Sequence, residues 1–381
     1  MPLTARRNKR TMENEHLTIE IDGAEISDLY PRLISLEVEH DIELAAMFRL
    51  RFSLLLDQGG SWGILDDERL RIWKQVSIRA GLSEADEELM TGYITHVSPY
   101  FDGDPASCVL EVWGMDASVL MDREEKLKDW PNKKDSDIAS EIIASHGLTP
   151  DVEDTEVIHD EALSTIIQRE TDMQFLKRLA LRNGFACYVE GDTVFFKKPQ
   201  LDDPPQPVLS VHFGSETTVN RLSLTVNALS PANVAMFQID RNTKEVLEAE
   251  ATASEQTALG ADDAASHLGP GMNPAKVFVG RTAATGTPEM TALRRELYHQ
   301  GEWFVAGEGE IEANQYGHVL KSRQTVTIRG IGETYSGVYF VSHVTHIFTD
   351  DGYRQIFKVK RNALLPTGAE TFERLNAGTL F

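Results

Sequence analysis

His343 and His346, in the run SHVTHIF, are the pair whose type and spacing most readily suggest metal chemistry. A three-residue step would bring two imidazoles together on a helix. The residues around them alternate as in a strand, which sends the rings to opposite faces, and no glutamate completes an HExxH arrangement. No metal centre is expected. Glycoside hydrolysis needs two carboxylates in one cleft. With 60 acidic residues candidate pairs are plentiful and uninformative, and one such pair, Asp102 and Asp104, lies among turn formers and reads as a hairpin tip. No GxSxG elbow, phosphate loop or GxGxxG fingerprint after a strand is read. The glycines of GEGEIEA and RGIGETYSG read as turns and bulges. Trp62, Trp73, Trp113, Trp130 and Trp303 are scattered, as core or interface anchors are, rather than grouped as a sugar platform. The expectation is a non-enzymatic chain with no catalytic, metal or cofactor site.

What must then carry function is the arrangement of elements, and residues 168–189 are the most informative of these. Thr171 and Gln174 have capping-box spacing. Phe175, Leu176, Leu179 and Ala180 share a helical face, Asn183-Gly184 supplies the stop, and Phe185, Cys187 and Val189 alternate as a half-buried strand. Residues 17–115 read as a β-rich unit of short strands with turns between them, a barrel or sandwich pattern. Residues 116–198 are mixed α/β, with a helix carrying Ile138 and Ile142 and ending at Gly147, then the signature helix and a hairpin turning at Gly191-Asp192. Residues 199–207 are a proline-rich linker. Strands resume over 208–240 and 301–365. The intervening 241–300 is rich in Ala, Glu, Ser and Thr, and is expected as a polar surface insertion with one or two loose helices, then a firmer helix with Met290, Leu293 and Leu297 on one side. Residues 366–381 are a polar tail, and 1–16 a flexible basic arm carrying Arg6, Arg7, Lys9 and Arg10.

At 381 residues, two to four domains are expected. The arm lacks the apolar stretch of a secretory signal, no apolar run is long enough to span a bilayer, and the cytosol is the expected site of synthesis. A net charge of −23 argues against nucleic acid and anionic membranes as partners. Acidic residues concentrate in 84–88 and 151–161 and read as solvated faces, with an acidic channel lining as the functional alternative. Cys108 and Cys187 read as small buried hydrophobes.

The run at 168–184 resembles the signature of phage tail hub proteins, the family of the phage late control D proteins and the N-terminal part of valine-glycine repeat spikes. The matching residues are Glu170, Asp172, Phe175, Leu176, Arg178, Leu179 and Gly184. Further pieces follow in family order: Phe52, Leu54 and Leu56; Gly92 to Pro99; Val112 to Asp116; and the closing hairpin with Gly352, Tyr353, Phe357, Arg361, Asn362 and Ala363. The resemblance spans roughly residues 17–365. It implies a mainly β chain with two tail-tube-like barrels, an α/β domain and an inserted domain. Three copies would ring a baseplate, adapting a six-fold inner tube to a three-fold spike. The implied partners are further copies of the chain, the inner tube or tube-initiator protein, a spike and other baseplate proteins. Because the sequence stops at Phe381, the expectation is a stand-alone hub with a separate spike, contacted by 366–381. The alternative from another class is a tail-associated glycan-binding or cell-wall-degrading protein.

Overall fold

In a computed structural model the described residues are 15–82, 85–162, 165–229, 232–239, 243–251, 254–267, 272–273, 275–279 and 287–370. The basic arm therefore lies outside them up to residue 14, as does the tail from 371. The first half of the fold is an antiparallel sheet running Leu33–Asp41, Met47–Ser53, Val109–Asp116, Ala85–Tyr100, Gln75–Leu82 and Glu15–Ile21. Alternation drives it: Leu36, Val38, Phe48, Leu50, Phe52, Val76, Ile78 and Ala80 all point inward and are buried. At two places strands come too close for any side chain. A Cβ on Gly114 would stand 2.1 Å from the Tyr93 carbonyl oxygen and 2.6 Å from the Phe48 ring, and one on Gly92 would stand 2.2 Å from the Met115 carbonyl oxygen.

The second half runs Val219–Val226, Val305–Glu312, Gly352–Arg361 and Gly337–Thr349, with Thr325–Arg329 and Gln206–Ser210 alongside. Its core holds Tyr339, Val341, Val344, Phe357, Val359, Val326, Ile328 and Ile311. The two halves are spliced into one thirteen-stranded sheet. Strand Gly337–Thr349 does the splicing. Its first residues, Gly337 to Phe340, pair with Thr325–Arg329. After a bulge at Ser342, His343 to Phe348 pair with Leu36 to Asp41 of the first half.

Between the halves in sequence sits the α/β unit. Helix α1 (Asp135–Ser145) and helix α2 (Asp172–Asn183) enclose a core of Trp130, Ile138, Ile142, Phe175, Leu176, Leu179, Cys187, Val189 and Phe196. The strands Thr149–Val152, Thr193–Lys197 and Ala186–Glu190 form its sheet. The linker does not hang free: Leu201 is buried with Leu259 and Phe340.

Two expectations need correction. Residues 232–239 leave the second half and join the insertion, where Ala232–Ile239 pairs with Val246–Ala251 and Ala275–Val279. The insertion is thus a three-stranded sheet roofed by helix α3 (Thr287–Gly301), not loose helices. Val234 and Met236 pack under Tyr298 and Met290, with Leu293 and Leu297 beside them. Small residues such as Ala249 and Ala251 masked the strand pattern. Gly307 and Gly309, read as turns and bulges that bend strands, lie inside strand Val305–Glu312, where a Cβ would meet Leu224 at 2.5 Å and the Phe357 ring at 2.4 Å.

Candidate functional site

The residues weighed for chemistry are held apart or committed to their own backbone. His343 sits between Asp41 (3.1 Å) and Glu39 (3.6 Å). His346 lies on the opposite, buried face, with Nδ1 2.8 Å from the Tyr353 hydroxyl and its ring edge-on to His40 at 5.7 Å. Asp102 accepts the Asp104 backbone N–H (3.0 Å), and Asp104 accepts that of Ala106 (3.1 Å), so both carboxylates cap the hairpin tip. One string escaped the sequence reading: Gly59 to Gly63, GGSWG, does spell GxSxG. Ser61 is nonetheless exposed in a loop, its N–H donated to Asp57 at 2.8 Å, and no α-helix follows. Trp130 is buried against Phe175, Trp62 stands edge-on to Phe101 and Trp113 lies against His96, so they form no platform. Among the described residues no three His, Cys, Asp or Glu side chains gather as a metal site. Both cysteines are buried and unpaired, and burial pushes the Cys187 thiol up to about 12.

The acidic clusters are largely ion-paired at the surface. Asp86 meets Arg79 and His16, Glu87 meets Lys321, Asp151 meets Lys197, and Asp154 meets Lys134.

The signature residues build the α/β unit. Thr171 caps α2, its Oγ1 accepting the Gln174 N–H at 3.3 Å while its hydroxyl donates to Asp122. Only this half of the capping box is present. Asp172, nearly fully buried, collects His146 (2.7 Å), the Gln168 amide (2.7 Å) and the Lys126 ammonium. These bonds outweigh its burial and hold its carboxyl below the usual range. Glu170 and Arg178 pair at 2.6 Å between strand and helix. Gly184 ends α2 at φ +68°, with Phe185 N–H donating to the Ala180 carbonyl.

A second constellation lies at the splice. Arg323, itself at φ +64°, donates to the Asp41 carbonyl at 2.5 Å, stacks 4.1 Å above Tyr188 and approaches Glu190 at 3.4 Å. One guanidinium thereby touches the first half, the second half and the α/β unit. Beside it, burial and then the Arg323 charge drive His40 down to about 3, and burial holds His346 well below its ordinary value, so both stay neutral.

The closing Arg361-Asn362-Ala363 run forms a third. Arg361 is fully buried and donates to the carbonyls of Leu259 (3.0 Å), Tyr335 (3.3 Å), Ser336 (3.4 Å) and Leu365 (2.8 Å). Asn362 accepts the Leu259 N–H (2.9 Å) and donates to the Thr257 carbonyl (2.9 Å), pinning the returning insertion to the second half. The sequence signal for this role was the motif itself, but nothing in it revealed that the guanidinium binds backbone rather than a ligand.

These motif clamps lie along most of the chain, and a single family model, described as the Alg8 N-terminal domain, matches residues 11–350. The chain belongs to that family. No curated protein matches this Alg8 N-terminal domain member in sequence. Among solved structures it is similar to the 43 kDa tail protein of prophage MuSo2 from Shewanella oneidensis, with 13% identity, 92% of this chain and 99% of that one covered, and a TM-score of 0.65. It is similar also to the tail protein from Neisseria meningitidis MC58, at 14% identity, 92% and 98% covered, TM-score 0.60. A third is a type VI secretion system component from E. coli, itself described as similar to the T4 bacteriophage tail proteins gp27 and gp5, at 11% identity, 91% and 76% covered, TM-score 0.52. At such identities the likeness establishes the fold: mostly β, with large antiparallel sheets, of the phage tail protein kind. No helix among the described residues is long and apolar enough to cross a membrane.

Proposed function

We propose that this chain is a non-enzymatic baseplate hub of a contractile phage tail or phage-tail-like injection system. Three copies would close a ring that joins a six-fold tube to a three-fold spike. The observation that carries the reading is the splice at His343 to Phe348, which holds two half-sheets side by side in one chain. Two docking platforms per chain in a three-membered ring make six quasi-equivalent positions, which is what a change from three-fold to six-fold symmetry requires. The fold likeness to tail and secretion-system components supports it. So does the disposition of the buried polar residues, which hold backbone and neighbouring elements in place. Such a hub would assemble in the cytoplasm and then sit in the baseplate of the particle, in contact with tube, spike and other baseplate proteins.

The test is to tag the chain in its producer, purify gently and image the particles by electron microscopy. The reading expects the tag at the baseplate end of sheathed tubes, tube and spike subunits co-purifying, and native mass spectrometry showing three chains of 42.5 kDa each in the complex. A chain recovered alone from cells that contain tail particles, or one that degrades purified peptidoglycan, would overturn it.

A further inference from the structure

At one end of the first half, the hairpin tip after strand Ala85–Tyr100 packs against the loop after strand Met47–Ser53. The Leu54 N–H donates to the Cys108 carbonyl at 2.9 Å, Leu56 bridges to Trp62, and the Trp62 ring meets that of Phe101 at 5.1 Å. Around these contacts Leu55, Leu56, Tyr100 and Phe101 are each between 44% and 56% exposed. A surface seldom leaves large apolar side chains grouped in water without a use for them. Asp57, Asp102 and Asp104 stand among them. Each accepts only from neighbouring backbone or hydroxyl donors, and none is ion-paired among the described residues. No Lys, Arg or His occurs in residues 52–68 or 98–110. These segments are apolar, aromatic and anionic, with no cation of their own.

We propose that this tip receives the basic arm of a second copy of the chain, with Arg6, Arg7, Lys9 and Arg10 meeting its carboxylates and rings. No other five-residue stretch of the chain holds more than three Lys or Arg. A guanidinium suits the tip twice over: it lies flat on an aromatic face and binds a carboxylate through paired donors. Leu3 and Met12, on either side of the cations, match the exposed leucines. Reach decides which copy supplies the arm. Glu15 pairs with Leu82, and Leu82 with Ala85, at the start of a strand of 16 residues that ends at Tyr100. At about 3.3 Å per residue that strand runs roughly 50 Å from the arm's root to the tip. Arg10 and Arg6 stand five and nine positions before Glu15, which they can span by at most about 17 and 32 Å. The cations fall short of their own tip, so the arm that fills it comes from another copy. Such a contact joins unlike surfaces, the kind that closes into a ring. It rests on the ring of copies proposed above and names what joins its members.

The experiment mixes two differently tagged full-length chains, one with Asn8→Cys in the arm and the other with Gly103→Cys at the tip. Gly103 is exposed with open space for a side chain, and the native Cys108 and Cys187 are buried. The expected result is a disulfide between the two tags under mild oxidation, and none within a dilute single chain carrying both substitutions. Reversing the arm (Arg6→Glu, Arg7→Glu, Lys9→Glu, Arg10→Glu) should slow the cross-link about tenfold or more, and adding Asp57→Lys, Asp102→Lys and Asp104→Lys to the other chain should restore it. Asp57→Asn, Asp102→Asn and Asp104→Asn keep acceptors for the turns, so a slower cross-link with an unchanged melting temperature reads the charge alone. Leu127→Cys, at a site 81% exposed on the α/β unit, gives the background rate. No disulfide between tags, a rate equal to that background, a rate unmoved by reversing the arm, or a disulfide within the dilute single chain overturns the proposal. The readout involves no particle. A chain found at the baseplate that fails here overturns this contact alone, and one that cross-links here but is absent from particles overturns the hub reading alone.

Discussion

At the scale of single residues, the most demanding group is Arg361, a buried guanidinium that donates to four backbone carbonyls. Lysine has one ammonium in place of a planar fork and cannot span four acceptors. Arg361→Lys is therefore expected to lower stability by about 3 kcal/mol or more, read as a fall in the denaturant midpoint, because several buried carbonyls lose their donors. His40 and His346 set a pH window. Both have depressed titration in the fold and an ordinary value near 6.5 when unfolded. Their contribution is whole above about pH 6.5 and is lost as pH falls toward the folded value, because the unfolded chain takes up the protons. Stability should decline between about pH 6.5 and 4, by up to roughly 1.4 kcal/mol per pH unit per histidine. His346→Phe should flatten that decline in melting curves recorded across the window. A decline beginning only below pH 4 would assign the effect to carboxylates such as Asp172 instead. The opposite facing of His343 and His346 was legible from strand alternation alone. The partner of His346, Tyr353, was not, since it is brought in by register across a hairpin.

At the scale of elements, α2 shows why a motif can be clear while its reasons stay hidden. The apolar stripe and the glycine stop follow from 3.6-residue periodicity and the left-handed backbone. What Asp172 does depends on Lys126, His146 and Gln168, which the fold brings in from the preceding ladder and from the end of α1, while Glu170 and Arg178 pair with each other. The members of this signature should therefore differ in cost. Phe175→Ala is expected to destabilise the α/β unit by about 3–5 kcal/mol. Glu170→Gln, which breaks a partly exposed pair, should cost about 1 kcal/mol or less. Unfolding titrations of the two variants would sink this ranking if the costs came out equal. Gly184→Ala adds a distinct penalty, since its Cβ would stand 1.6 Å from the Glu296 carboxylate and the backbone is left-handed. It should loosen α2 from α3, read as faster amide exchange in both helices, and cost at least about 1 kcal/mol.

At the scale of the whole molecule, the mainly β class and the α/β insert follow from alternation and periodicity in the sequence, but the continuity of the sheet does not. Residues 33–41 and 337–349 read simply as two strands some three hundred positions apart, and nothing local specifies that they meet. The insertion was misjudged for the opposite reason: its sheet is stabilised by α3, so its own strands needed little hydrophobic contrast. Disrupting the splice should have a signature unlike that of a core mutation. Val344→Pro, placed among the six pairs to the first half, removes a ladder donor. On the proposed hub reading it should weaken tube and spike association, while the α/β unit keeps its protected amides in hydrogen exchange.

The splice also bears on how force passes through the molecule. The six paired residues of each strand run side by side, so a load along the strands that slides one half past the other meets all of those hydrogen bonds together, whereas a load that peels the halves apart meets them one at a time. Arg323 and the α/β unit it touches brace the seam against peeling. In the ring proposed above, each chain would then be a stiff beam under thrust from a driven tube. The compliant places would be the joints between chains, and an aperture would widen by spreading those joints while each beam kept its shape.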